Sequence, residues 1–151
     1  MNEIEIKICW LTPEYERDLN LPNYETAGAA GMDVEAGVNT NVTLQPGERT
    51  LIPTGFRVAL PQGYELQVRP RSGLAIKYGV TIINSPGTID SDYRGEVKIA
   101  LINLGHDPYT IHRGDRVAQL VLAPVLQTIF TQASILDKTE RDSGGFGHTG
   151  V

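Results

Sequence analysis

From Glu3 to Trp10 the chain reads EIEIKICW, with Ile4, Ile6, Ile8 and Trp10 on one side and Glu3, Glu5, Lys7 and Cys9 on the other. Alternation of period two predicts a half-buried strand. Short runs of the same kind follow at intervals of about ten residues: MDVEA, VTL, RTLIPTGFRVAL, YELQVRP, VTIIN, EVKIALIN, YTIH and RVAQLVLAPV. The turn signals PGE, PTG, PQG, SPG, LGHD and HRGD separate them. Many short strands between Gly/Pro turns predict an all-β sandwich or barrel. Pro53, Pro61, Pro70 and Pro124 fit strand ends, where a missing N–H is tolerated. In RVAQLV, strict alternation puts Arg116, Ala118 and Leu120 on one face and Val117, Gln119 and Val121 on the other. Only SGLAIKYG breaks the pattern: Ser72 is a candidate N-cap and Gly79 a stop, which predicts one short helix.

Composition adds bounds to this picture. The chain has 151 residues, 40% of them hydrophobic, enough for one domain with its own core. No repeat or linker interrupts it. After Leu136 the residues turn polar and Gly-rich, which predicts a folded domain over 1–136 and a flexible C-terminal segment over 137–151. The formal charge of −5 disfavours a basic surface for nucleic acid. The lone Cys9 has no partner for an internal disulfide, which suits a reducing compartment, and it is expected to be a small buried or half-buried hydrophobe. No apolar run reaches the ~20 residues of a membrane span, and the charged, alternating N-terminus does not read as a signal peptide. The expectation is a cytoplasmic protein with no membrane or nucleic-acid partner.

Several stretches hold chemistry. RPRSGLAIKYG sets Arg69 and Arg71 at a strand end, with Ser72 and Gly73 opening the helix. Free helix-start N–H groups, a hydroxyl and a guanidinium make either an anion site or an ordinary capped helix with surface arginines. NSPGTIDSDYRGEV places Asp90 and Asp92 in a turn, to bind a cation, orient a water or simply cap the turn. Asn84 offers both an amide donor and a carbonyl acceptor. Gln119 needs a partner if it is buried in its strand. Asp33 is either a site carboxylate or a strand-end residue. His106, His112 and His148 show no metal-ligand spacing. The C-terminal ERDSGGFGHTGV carries one fixed cation, Arg141, and one large ring, Phe146, on a segment too rich in glycine to order by itself.

Taken in order, AGMDVEA, PRSGLAIKYG, GTIDSDYRGEV, GDRVAQLVL and RDSGGFGHTG resemble the five motifs of the trimeric deoxyuridine triphosphatases (dUTPases), over essentially the whole chain. One position departs: Asp142 stands where the last motif usually has Gly, directly after Arg141. The resemblance implies a jelly-roll-like β-barrel with one short helix and a flexible Gly-rich tail, assembled as a homotrimer with active sites at subunit interfaces. It implies hydrolysis of dUTP to dUMP and pyrophosphate, with Mg²⁺ on the triphosphate. This activity limits uracil incorporation into DNA and supplies dUMP for thymidylate synthesis. Asp90 matches the carboxylate that orients and deprotonates the attacking water. Arg71, Ser72 and Gly73 match the phosphate-binding turn, Gln119 a further phosphate contact, and Arg141 the tail's clamp on the γ-phosphate. Tyr93 matches the ring packed on the deoxyribose, and Asn84 with backbone groups of the VTIINSPGTI hairpin, among them Gly87, Thr88 and Ile89, the reader of the uracil edge. Phe146 and Gly147 match the tail residues laid over the base, and Asp33 is a candidate to hold the metal through a water.

Two other readings use the same fold. A dCTP deaminase needs a catalytic Glu on the strand after the Asp-containing turn, where this chain has Ala100. A non-catalytic nucleotide sensor would be expected to lose site residues, yet Asp90, Arg71, Gln119 and Arg141 are all present.

Overall fold

The computed structural model describes residues 3–145. Eleven strands and two short helices lie among them: β1 (Lys7–Trp10), α1 (Pro13–Asp18), β2 (Met32–Glu35), β3 (Val42–Leu44), β4 (Arg49–Pro53), β5 (Phe56–Ala59), β6 (Tyr64–Arg69), α2 (Ser72–Tyr78), β7 (Val80–Ile82), β8 (Gly87–Ile89), β9 (Lys98–Asn103), β10 (Tyr109–Ile111) and β11 (Arg116–Pro124). All seven strand pairings are antiparallel and form four sheets, in the orders β1-β5, β10-β3, β2-β11-β6-β8 and β4-β9-β7. The predicted all-β class is the observed one. No helix among the described residues is long and apolar enough to cross a membrane.

The period-two pattern builds the core directly. In β9, Ile99, Leu101 and Asn103 point inward while Lys98 stays exposed. Ile52, Phe56, Leu66, Ile99, Leu101 and Leu120 are each at most 2% exposed and belong to one apolar cluster. Asn103, itself fully buried, satisfies its amide completely. Its Nδ2 donates to the carbonyls of Leu44 (3.0 Å) and Asp107 (2.8 Å), and its Oδ1 accepts from Gly105 N–H (2.9 Å). A polar group in this position is tolerated because no donor or acceptor is left unpaired.

Four expectations need correction. There are two short helices, not one: α1 follows Thr12 with Pro13 at its first position, but six residues give too little periodicity to predict it. Tyr15 of α1 stacks on Trp10 (6.4 Å between centroids), and the Arg113 guanidinium lies 4.8 Å from the Tyr15 ring centre. Ser72 is not the N-cap of α2; Arg71 is, and no side chain caps that end. The predicted stop is right, since Gly79 adopts φ +70° and a Cβ there would collide with the backbone of Gly105. Cys9 is exposed rather than buried, because β1 turns its Lys7/Cys9 face outward opposite Arg57. Finally, VTIINSPGTI is not a paired hairpin: β7 joins β9 while β8 joins β6, so the loop between them crosses from one sheet to another.

The last strand ends at Pro124, and residues 125–145 form no helix or strand. Leu126, Ile129, Phe130, Ile135 and Leu136 lie 84–96% exposed along this stretch.

Candidate active site

Three of the residues singled out above converge on one end of the four-stranded sheet. The register pairs Gln119 of β11 with Asp33 of β2 on one side and with Arg69 of β6 on the other. The Nε2 of Gln119 donates to the Pro70 carbonyl (2.9 Å), which answers its need for a partner. Arg71, just beyond Pro70, points its Nε at Asp33 Oδ1 (3.2 Å) and donates through Nη1 to the Arg116 carbonyl (2.9 Å). Arg116 in turn places Nη1 3.1 Å from Asp33 Oδ2 and 3.4 Å from Glu25 Oε1. Asp33 is thus held between two guanidiniums and is only 19% exposed. Ser72 and Gly73, both exposed, follow as the first turn of α2, whose leading N–H groups have no acceptor within the helix.

A β-bulge makes this convergence possible. Arg116 lies opposite Glu35 and Ala118 opposite Val34, so Val117 is the extra residue. A bulge shifts the in/out alternation by one. Val117 and Ala118 are both buried, and Arg116 and Gln119 share the outer face with Asp33. The strict alternation expected for RVAQLV, with Arg116 and Gln119 on opposite faces, therefore fails at this point.

The second group surrounds β8. Gly87 lies opposite Val68, and a Cβ on it would sit 3.1 Å from the Nδ2 of Asn84, so the exposed Asn84 side chain lies against the strand's first residue. Thr88 and Ile89 lie opposite Gln67 and Leu66, with Ile89 buried and Thr88 exposed. Asp90 follows, exposed, and its carbonyl accepts from Tyr93 N–H (3.2 Å) to close a turn. The Tyr93 hydroxyl donates to the Glu96 carbonyl (3.0 Å), and its ring, 45% exposed, lies where a Cβ on Gly95 would be. Asp90 and Asp92 face an open cavity of about 860 Å³ with Tyr64, Gln62 and Arg94 on its walls.

Within one chain Asp90 and Arg71 do not meet. Ile89 lies opposite Leu66, which sets Asp90 level with Glu65, whereas Arg71 lies past Arg69 at the other end of β6. Six residues of extended chain span on the order of 20 Å. Arg141, in the tail, is separate again: its Nε donates to the Gly144 carbonyl (2.8 Å), and Gly144 N–H returns to the Arg141 carbonyl (2.9 Å). Asp142 takes φ +44° in this turn. Phe146 and Gly147 lie outside the described residues.

Comparison with known proteins decides the family. The dUTPase family model matches residues 17–150. The chain belongs to the dUTPase family. The deoxyuridine 5'-triphosphate nucleotidohydrolase of Desulfotalea psychrophila is 60% identical over 149 residues, covering 99% of both chains. That of Fusobacterium nucleatum is 51% identical over 150 residues, again 99% of both. Among solved structures, the Staphylococcus bacteriophage 80alpha dUTPase with dUPNHPP superposes with a TM-score of 0.84 at 25% identity, over 97% of this chain and 99% of that one. A point mutant of the dUTPase from phage phi11 of S. aureus, described with a structural Mg(II) ion, shares the fold with a TM-score of 0.76 at 23% identity, over 89% and 99%.

Two features of this dUTPase-family chain escape a strict period-two reading. Strict alternation puts Arg116 on the wrong face, and nothing in the local sequence marks Glu25. The signal for the bulge is present: the adjacent apolar pair Val117-Ala118 between the polar Arg116 and Gln119 does not fit period two. Asp142 is the only non-glycine residue with positive φ among those described, at the position where the family's last motif usually has Gly. Asp tolerates that region better than most residues because its short side chain bonds locally.

Proposed function

We infer that this chain hydrolyses dUTP to dUMP and pyrophosphate, and that the observation carrying the reading is the dUTPase family match over residues 17–150. A water oxygen attacks the α-phosphorus, its proton passes to the Asp90 carboxylate, and the bond to the bridging oxygen of the pyrophosphate breaks. The exposed Asp90 borders a cavity open to water, where a positioned carboxylate can act as general base. Arg71, Ser72, Gly73 and Gln119 bind the phosphates, and Arg141 joins them from the tail. Fixed donors aimed at the developing charge supply most of the acceleration in such reactions.

Selectivity rests on the second group. The ring of Tyr93, fixed by its hydroxyl bond to Glu96, packs on the deoxyribose and leaves no room for a 2′-hydroxyl. Asn84 with the backbone of Gly87, Thr88 and Ile89 reads the uracil edge. Cytosine reverses donor and acceptor there and leaves buried polar groups unpaired. Thymine adds a methyl against backbone, a clash of roughly 1–3 kcal/mol. Phe146 and Gly147 lie over the base, and segment 137–151 acts as the lid that excludes water.

Mg²⁺ fits the donor set through the nucleotide and through water, not through direct side-chain ligands. Each Asp33 oxygen already takes one guanidinium, and a carboxylate offers roughly four lone-pair sites. Acceptor capacity remains for a water, so Asp33 would hold the ion through its hydration shell. Among the described residues no three His, Cys, Asp or Glu side chains converge to grip a metal directly. When bound, Mg²⁺ neutralises phosphate charge and fixes the triphosphate's shape.

The active unit is a homotrimer. The separation of Arg71 from Asp90 along β6 supports a site built from different copies, and the exposed Leu126, Ile129, Phe130, Ile135 and Leu136 give a second copy apolar surface to cover. Ala100, half-buried between Ile99 and Leu101, gives a deaminase no carboxylate. Pyrophosphate release measured with dUTP, dTTP, dCTP and UTP in the presence of Mg²⁺ tests the whole reading. Turnover of dUTP alone is expected; ammonia release from dCTP, or binding of dUTP without turnover, would overturn it.

A further inference from the structure

We propose that Arg116 is a positioning residue of the phosphate site, acting through Asp33 and its own carbonyl to hold the guanidinium of Arg71 in place and to keep the cluster around it net positive. The inference rests on the dUTPase reading and extends it to a side chain that the reading leaves without a role.

The geometry supports this from two directions. Arg71 uses Nε for Asp33 Oδ1 (3.2 Å) and one Nη1 hydrogen for the Arg116 carbonyl (2.9 Å). A guanidinium has five N–H donors in a rigid plane. One hydrogen bond through Nη1 and one ion pair at Nε hold that plane, and the remaining Nη donors are left for phosphate oxygens. The plane is set only if Asp33 is itself set, and Arg116 Nη1 holds its second oxygen at 3.1 Å.

Charge gives the second argument. Alone beside Asp33, Arg71 would form a neutral pair with little attraction for a polyanion. With Arg116 the trio of two guanidiniums and one carboxylate keeps a net positive charge in a protein whose formal charge is −5. Glu25 holds Arg116 from the outer side at 3.4 Å, but it is 64% exposed, so solvent and salt screen it more than the inner pairs.

The bulge at Val117 turns this from a coincidence of neighbours into a built arrangement. It puts the side chain of Arg116 on the same outer face as Gln119 and Asp33. Without the extra residue, alternation would send Arg116 to the opposite face. One irregularity in β11 thus aims two side chains at one end of the sheet and supplies the carbonyl that Arg71 needs.

The test is steady-state kinetics of the full-length protein with Arg116→Ala and Arg116→Lys, with deoxyuridine as a competing ligand that carries no phosphate. Arg116→Ala should raise KM for dUTP about tenfold, leave kcat within about threefold, and leave the deoxyuridine inhibition constant unchanged. Arg116→Lys keeps the charge beside Asp33 and should recover most of the loss. Wild-type kinetics in Arg116→Ala overturn the proposal, as do equal losses toward dUTP and deoxyuridine, a fall in kcat at constant KM, or a Lys variant as impaired as Ala. If the Ala variant does not assemble, Arg116→Gln keeps the aliphatic stem and carries the same expectation. Absence of dUTP turnover in the wild-type protein would instead sink the dUTPase reading.

Discussion

A Cβ atom on Gly31 would lie 2.1 Å from the Oε1 of Gln119. The clash falls on the free end of a flexible side chain, so Gly31→Ala is expected to fold normally. Relief comes only by swinging the carboxamide away, which breaks its bond to the Pro70 carbonyl. The melting temperature should stay within about 2 °C of wild type, while kcat/KM for dUTP falls about tenfold. A large drop in melting temperature, or unchanged kinetics, would show that Gln119 is not held in this way.

Asp90→Asn removes the proton acceptor and keeps the shape of the turn closed by Tyr93 N–H. Turnover should fall by about 10²–10⁴, with the dissociation constant of a non-hydrolysable dUTP analogue nearly unchanged. Calorimetric titration beside a pyrophosphate assay separates the two. A large loss of binding would mean that Asp90 contacts the nucleotide rather than the water.

Truncation after Thr139 removes Arg141 and everything beyond it, and no strand or helix of the described residues is lost. The shortened protein should sediment as the full-length one does and hydrolyse dUTP with kcat/KM lower by about a hundredfold. Undiminished activity would refute a closing role for the tail.

Asp18 accepts from Nε and Nη2 of Arg113 at 2.6 and 2.8 Å, tying α1 to the turn before β11. The hydrogen bond from Arg113 holds the Asp18 carboxyl below the usual carboxylate range, against a smaller opposing effect of burial. A depressed pKa in the folded state adds stability above the unfolded-state value and loses it as pH falls through the folded-state value. Asp18→Asn should therefore melt lower than wild type at neutral pH, and the gap should close below the usual carboxylate range. Thermal melts of both proteins from neutral to strongly acid pH check the sign.

The strands were legible because each buries one side, and burial writes itself as alternation in residues such as Ile99, Leu101 and Asn103. Among the shortest elements β3, β7, β10 and α2 were still legible beside clear turn signals, whereas α1 and β8 were not. Helix α1 is six residues long and β8 only three, and both are fixed by contacts far along the chain, Arg113 on Asp18 and Val68 opposite Gly87. The site behaved in the same way. Its residues could be named because five motifs match a family in order, yet the local pattern around Asp33, Arg71 or Gln119 fitted a plain turn, a capped helix or a solvated strand equally well. What joins them is the register of β11 against β2 and β6, together with one extra residue at Val117. Register is a long-range quantity, and no window of a dozen residues contains it.

The distance between Arg71 and Asp90 along β6 has a consequence for inheritance of damage. If each site takes its phosphate turn from one subunit and its base from the next, then a chain wounded at Arg71 and a chain wounded at Asp90 are each inactive alone. Mixed around a threefold ring, they regain one intact site in every hybrid, whichever chain is in the majority, because somewhere an unwounded Arg71 must face an unwounded Asp90. A protein whose site lay within a single chain would regain nothing. Two defective copies of this sequence would complement one another.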